Sequence, residues 1–152
     1  MAEPCEVWFY HLERSSLDQI LPALLEKTIA RGWRAIVRTC DGDGVDRLDA
    51  WLWAYREDSF LPHGRAGDLD DARQPILLTT LLDNANVAQA LYLVEGAPAG
   101  DLAGFLRCIL IFDGRDEIAL TQAREQWTSF KAAGHPVTYW SQSEGLGWER
   151  KA

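Results

Sequence analysis

The sequence has no run of about eighteen consecutive apolar residues, the length a helix needs to cross a bilayer. A membrane span is therefore excluded. The first residues, Met-Ala-Glu-Pro-Cys-Glu, also lack the basic-then-apolar order of a secretory leader, so the expected location is the cytoplasm. Cysteine is scarce: Cys5, Cys40 and Cys108 are odd in number, widely spaced and never in a Cys-x-x-Cys pair. Neither a zinc ribbon nor a dithiol redox motif follows from that spacing, and the three read as reduced thiols. His11, His63 and His135 stand alone, without His-Glu-x-x-His spacing, and no metal site is expected.

Nucleotide signatures are missing too. No Gly-x-x-x-x-Gly-Lys-Ser/Thr word occurs. Asp41-Gly-Asp-Gly44 invites two motif readings and satisfies neither. A calcium loop from Asp41 would need glycine where Asp46 stands and glutamate where Leu52 stands. A dinucleotide fingerprint from Gly42 would need its third glycine where Arg47 stands. The segment reads as a polar strand-to-helix turn, and no cofactor is expected. Positive charge is in short supply, with 15 Lys and Arg against 23 Asp and Glu, a net charge of −8. An acidic chain repels phosphate backbones, so direct nucleic-acid binding is not expected.

What is present is enough for one domain with a sizeable core: 152 residues, 47% of them apolar and 25% charged. Val7-Trp-Phe-Tyr10 begins as a strand, and Ser15 or Ser16 can cap a helix over Leu17 to Arg31 that Gly32 stops. Ala35-Ile-Val37 with Thr39 is a second strand, a strand–helix–strand order that predicts a parallel pair with the first. His63 to Gln74 lacks periodicity and reads as a surface loop. Ile76–Thr80, Ala90–Val94, the wholly apolar Cys108–Phe112 and Val137–Trp140 are further strands, and Leu102–Leu106 adds a helical turn. The expected fold is α/β: a single domain over residues 1–140 with a mostly parallel sheet, helices on both faces and a Rossmann-like order of elements. Residues 141–152 read as a polar tail in which Trp148 has no assigned place.

Two stretches carry unusual side chains. Val45, Leu48, Leu52 and Tyr55 form one helical stripe, with Trp51 on its shoulder, and the helix should stop near Arg56. Trp53 points away from that stripe, and Phe60 and Leu61 follow the helix as large apolar groups. They either face a partner or, for Phe60 and Leu61, fold back onto the core. The second stretch, Asp113 to Gly134, is a helix with Asp113 or Asp116 at its cap and a stripe of Ala119, Leu120, Ala123, Trp127, Phe130 and Ala133. Arg124 and Lys131 lie along one edge of this stripe. An aromatic shoulder flanked by two cations can receive a short peptide ending in an apolar side chain and a carboxylate. On the residues alone, Trp127 as core with two solvated cations is the simpler reading.

Arg47-Leu48-Asp49, Leu52-Trp53 and Ser59-Phe60-Leu61-Pro62-His63, with Ala123-Arg124-Glu125 on the last helix, resemble the pattern of the chi subunit of bacterial DNA polymerase III. That resemblance implies an accessory of the clamp loader without catalytic activity of its own. It implies that the last helix binds the acidic C-terminal tail of single-stranded DNA-binding protein, which ends in Pro-Phe with a free carboxylate. Arg124 would then hold the carboxylate, Trp127 and Leu120 the terminal ring, and Lys131 would add charge. Trp53 would supply neighbouring surface, and Phe60 with Leu61 would meet psi, the partner that tethers chi to the clamp loader. Some relatives carry further lysines on this helix where Leu120 and Thr128 stand. The fold alone equally allows a small nucleotide-binding enzyme, against which stand the missing phosphate loops and the lack of clustered nucleophile, base or metal words.

Overall fold

A computed structural model describes residues 4–55, 61–68, 70–142 and 148–152. The strands are β1 (Glu6–Leu12), β2 (Ala35–Arg38), β3 (Gly64–Arg65), β4 (Ile76–Thr79), β5 (Ala90–Leu93), β6 (Arg107–Asp113), β7 (Val137–Gln142) and β8 (Trp148–Arg150). The helices are α1 (Leu17–Ala30), α2 (Gly42–Ala54) and α3 (Glu117–Ala132). The strands form one sheet in the order β3-β4-β2-β5-β6-β1-β7-β8, parallel throughout except for the β7–β8 pair. The expected α/β architecture with helices on both faces is what forms. Among the described residues no helix is long and apolar enough to cross a membrane.

The period-two alternation of the strands sorts the core into two layers. Tyr10, Val37, Leu78, Tyr92 and Ile109 face α1 and α2, which bring Leu21, Leu25, Val45, Leu48 and Leu52. Phe9, Ile36, Leu77, Leu91, Cys108 and Leu110 face the other way, where α3 contributes Ala123 and Phe130. Among the described residues that second face has a single helix, because the chain runs from β4 to β5 and from β5 to β6 without one. Loop side chains cover the remainder: Ala88, Ala97, Leu102 and Phe105 are buried against it.

Polar side chains hold those loops in place. Arg38, with no exposed surface, donates from Nε to Leu81 O at 2.8 Å and from Nη1 to Pro98 O and Ala99 O at 3.2 and 2.6 Å. Buried Asn86 donates to Ala35 O and Gln74 O. The helices start where the sequence can satisfy their first N–H groups. Ser16 and Gln19 close a capping box on α1, the Asp41 carboxylate accepts from Gly44 N, and the Asp116 carboxylate accepts from Ile118 N and Ala119 N.

Four expectations are corrected. β1 and β2 are not neighbours, because β5 and β6 lie between them; β1 pairs with β6 and β7 instead. Leu102–Leu106 is a turn closed by Phe105 N to Leu102 O at 3.2 Å and not a helical segment. The loop after His63 contains β3 and a short 3-10 turn at Asp71–Arg73. The C-terminal segment is not outside the sheet: Trp148–Arg150 pairs antiparallel with Trp140–Gln142, and the Trp148 ring lies 4.6 Å from that of Tyr10.

Pro22, inside α1, explains a contact between helices. A proline has no N–H, so the carbonyl four residues earlier, that of Asp18, loses its helical donor. The indole N–H of Trp51 on α2 fills the vacancy, donating to Asp18 O at 2.7 Å. Trp51→Phe should cost about 1–3 kcal/mol, because that carbonyl would lose its partner. The cost should shrink when Pro22→Ala restores an intrahelical donor. A double-mutant cycle by urea unfolding measures this, and additive effects would refute the coupling.

Candidate functional site

α3 lies over β6, β1 and β7 and leaves one flank of its apolar stripe only half covered. Beside that flank a groove of about 550 Å³ opens, lined by Leu120, Arg124 and Trp127 from the helix and by His11, Phe112 and Tyr139 from the strands. Trp127 meets Phe9 edge-on with centroids 5.4 Å apart and Tyr139 at 5.9 Å, so its ring is fixed by packing while one side stays open to the groove. Arg124 is exposed and, among the described residues, has no ion pair. Lys131 is two turns further along, its ammonium 5.9 Å from the Trp127 centroid. Ala133, expected on the stripe, is exposed at the helix end.

Sequence reading missed the strand side of this groove. His11 shares its face with Val7 and Phe9, so the alternation of β1 pointed to it. Its Nδ1 lies 2.6 Å from the Tyr139 hydroxyl, and its ring packs on Phe112 at 5.0 Å. Gly114 makes room for that ring: a Cβ there would collide with the imidazole. Burial holds His11 below its ordinary pKa despite Glu13 and Asp113 nearby, and the Arg124 charge acts in the same direction as burial. Burial also raises the Tyr139 phenol above its usual range, with Arg124 opposing. Among the side chains that line the groove, Arg124 is the one with a fixed charge, and Ala152 closes the lining beside Tyr139.

The structure does not bring Trp53 to this groove. α2 packs on the opposite face of the sheet from α3, so the expectation that Trp53 supplies neighbouring surface is corrected. Trp53 is 53% exposed and lies against the ring of His63 at 4.4 Å. His63 is buried, with Nδ1 2.7 Å from Leu61 O and Nε2 3.2 Å from the Asp49 carboxylate. It ties the chain leaving α2 back onto that helix. Leu61 is only 4% exposed and belongs to the core beneath α2, so for this residue the fold-back alternative is what forms. Phe60 lies outside the described residues.

The DNA polymerase III chi subunit, HolC, family matches this chain over residues 5–138. The chain belongs to that family. A probable DNA polymerase III subunit chi from Rickettsia prowazekii (strain Madrid E) is 31% identical over 86 residues, 57% of this chain. That match spans about half of the relative's own length, 52%. The chi family match covers α2, with Trp53, and the whole of α3, with Arg124 and Trp127. No group of three or more His, Cys, Asp or Glu is placed to hold a metal among the described residues.

His11 gives this chi-family fold a defined pH response. A folded-state pKa below the unfolded value means that the unfolded chain binds more protons as the solution acidifies. The stability tied to neutral His11 is complete above the unfolded value of about 6.5 and is lost as pH falls toward the folded value. Urea unfolding between about pH 7 and pH 5 should therefore show wild type losing stability relative to His11→Gln. A difference that stays flat across that range would place the titration elsewhere.

Proposed function

We propose that this protein is a non-catalytic adaptor of the DNA polymerase III complex that joins the clamp loader to the C-terminal tail of single-stranded DNA-binding protein. The observation that carries the reading is Arg124, an exposed cation without an ion pair among the described residues, set beside the half-buried ring of Trp127 over an apolar groove. A guanidinium holds a terminal carboxylate through two parallel N–H···O bonds. Leu120, Trp127 and Phe112 offer the terminal side chain an apolar seat within the same groove, and Lys131 adds attraction for an acidic peptide. Membership of the chi family supports the assignment to the polymerase complex.

The α2 surface with Trp53, and the chain leading on to Phe60 and Leu61, is the proposed side for psi or another clamp-loader contact. With Leu61 in the core, Trp53 and Phe60 carry that proposal. Because α2 and α3 cover opposite faces of the sheet, both partners could be held at once, which an adaptor requires. The proposed setting is the cytoplasm, with no cofactor, no nucleotide turnover and no direct grip on naked nucleic acid.

Arg124→Ala should weaken binding of an acidic peptide ending in Phe by about 2–5 kcal/mol, a drop in affinity of roughly 30-fold or more. Arg124→Lys should recover part of it, since a lysine cannot make the paired bonds. Amidating the peptide's terminal carboxylate should reproduce the loss on wild type. Stability should move by no more than about 0.5 kcal/mol, because Arg124 is exposed on the helix edge. A calorimetric titration in which Arg124→Ala binds as tightly as wild type would discard the groove as the tail site.

A further inference from the structure

A second groove, of about 510 Å³, opens on the sheet face that α1 covers, over β1, β5 and β6. Its floor is apolar and aromatic, with Tyr10, Tyr92 and Ile109 buried beneath it and Trp148 alongside. Its rim is cationic. Lys27 and Arg31 at the end of α1 are exposed and, among the described residues, have no ion pair. Among the described residues, Arg107 at the start of β6 has a carboxylate partner only in Glu6, at 3.5 Å, and its buried Nε has no hydrogen-bond acceptor. Among the described residues, the three charged side chains that line this groove are all cations, in a chain of net charge −8. The local field therefore favours an anionic occupant.

The rings around this groove decide which kind of anion fits. The Arg107 guanidinium lies 3.8 Å from the Trp8 ring and 5.2 Å from that of Trp33, and Arg31 lies 4.1 Å from Trp33. Trp8 also meets Trp140 at 5.9 Å, and Trp148 meets Tyr10 at 4.6 Å. These aromatic groups already have cationic or aromatic neighbours, so they do not offer the bare stacking platforms that single-stranded nucleic acid needs. A guanidinium lying against a ring keeps its N–H groups in its own plane, directed outward, where carboxylates can reach them.

We propose that the groove between α1 and strands β1, β5 and β6 is a docking site for an acidic peptide segment carrying an internal aromatic side chain. The side chain fills the apolar floor, and its flanking carboxylates meet Lys27, Arg31 and Arg107. This site lies on the opposite face of the sheet from Arg124, and it recognises no chain terminus. It is thus independent of the tail-binding proposal.

The test uses a fluorescent peptide of about ten residues, rich in Asp and Glu, with one central Trp and an amidated C-terminus. Anisotropy should show saturable binding that weakens with salt. Reversing both rim charges, Lys27→Glu with Arg31→Glu, should raise Kd by roughly tenfold or more. Replacing the central Trp by Ala in the peptide should do the same, whereas Arg124→Ala on the protein should leave Kd within about twofold. Both rim positions are exposed, and an unchanged unfolding midpoint verifies that the variant is folded. Absent binding, or binding indifferent to the rim reversal, overturns the proposal. So does oligo-dT binding that the rim variant abolishes, which would make the groove a nucleic-acid site. Dimerisation of the full chain that the same variant abolishes would give the groove to a second copy and overturns it equally.

Discussion

A guanidinium at the end of β2, closed off from solvent, bonds to three backbone carbonyls from two loops that belong to different crossovers. Burying a charge costs several kcal/mol unless its donors find acceptors, and Arg38 finds them in Leu81, Pro98 and Ala99. One Nη is buried without a partner among the described residues, so their compensation is incomplete. The arrangement persists because parallel strands need crossovers and two of these crossovers contain no helix. Without regular hydrogen bonding of their own, the loops depend on side chains to satisfy and hold their carbonyls. Ala97, Leu102 and Phe105 can cover the second face only if those loops stay in one place.

Economy on that face leaves α3 alone against the strands that carry His11, Phe112 and Tyr139. Only Ala123 and Phe130 of α3 are buried, and its remaining stripe is half covered or exposed. The half-covered flank is what gives Arg124 and Trp127 a groove to border. α1 and α2, by contrast, join one continuous layer with the sheet and are pinned to each other through Trp51 and Asp18. A molecule built this way presents different chemistry on its two sides. The α3 side offers a groove whose charged side chain is Arg124, and the α1 side offers cations lying against indole rings.

Much of the fold was legible because it rests on local patterns. Ser16, Asp41 and Asp116 stand where capping side chains belong, and the wholly apolar Cys108–Phe112 announced a strand buried on both faces. What escaped was non-local. The order β1-α1-β2 suggests a pair, but strand neighbours are chosen by the packing of the whole sheet, and β5 and β6 took the space between. Helical periodicity placed Trp53 off its own stripe correctly, yet could not say on which face of the sheet α2 would lie. Leu61 could be read either way, because a single apolar residue before proline has no period. Trp148 follows Gly145-Leu-Gly147, which has no period, and only its antiparallel pairing with β7 gave its ring a place against Tyr10. For the Arg124 groove, sequence supplied the helix residues, while His11 and Tyr139 arrive from strands far away in the chain.

The position of β1 inside the sheet, between β6 and β7, has a consequence for how the chain comes off the ribosome. Both of its neighbours, β6 and β7, are encoded in the last third of the sequence, and Glu6 waits 101 residues for Arg107. β2, β4 and β5 can pair among themselves much sooner. During synthesis the aromatic segment Trp8-Phe9-Tyr10 therefore emerges first and is seated among the last, with α1 already able to shield one side of it. High contact order of this kind slows folding and prolongs the exposure of unpaired strand edges. Until β6 and β7 have been made, the nascent chain carries an apolar strand whose two edges both lack their partners.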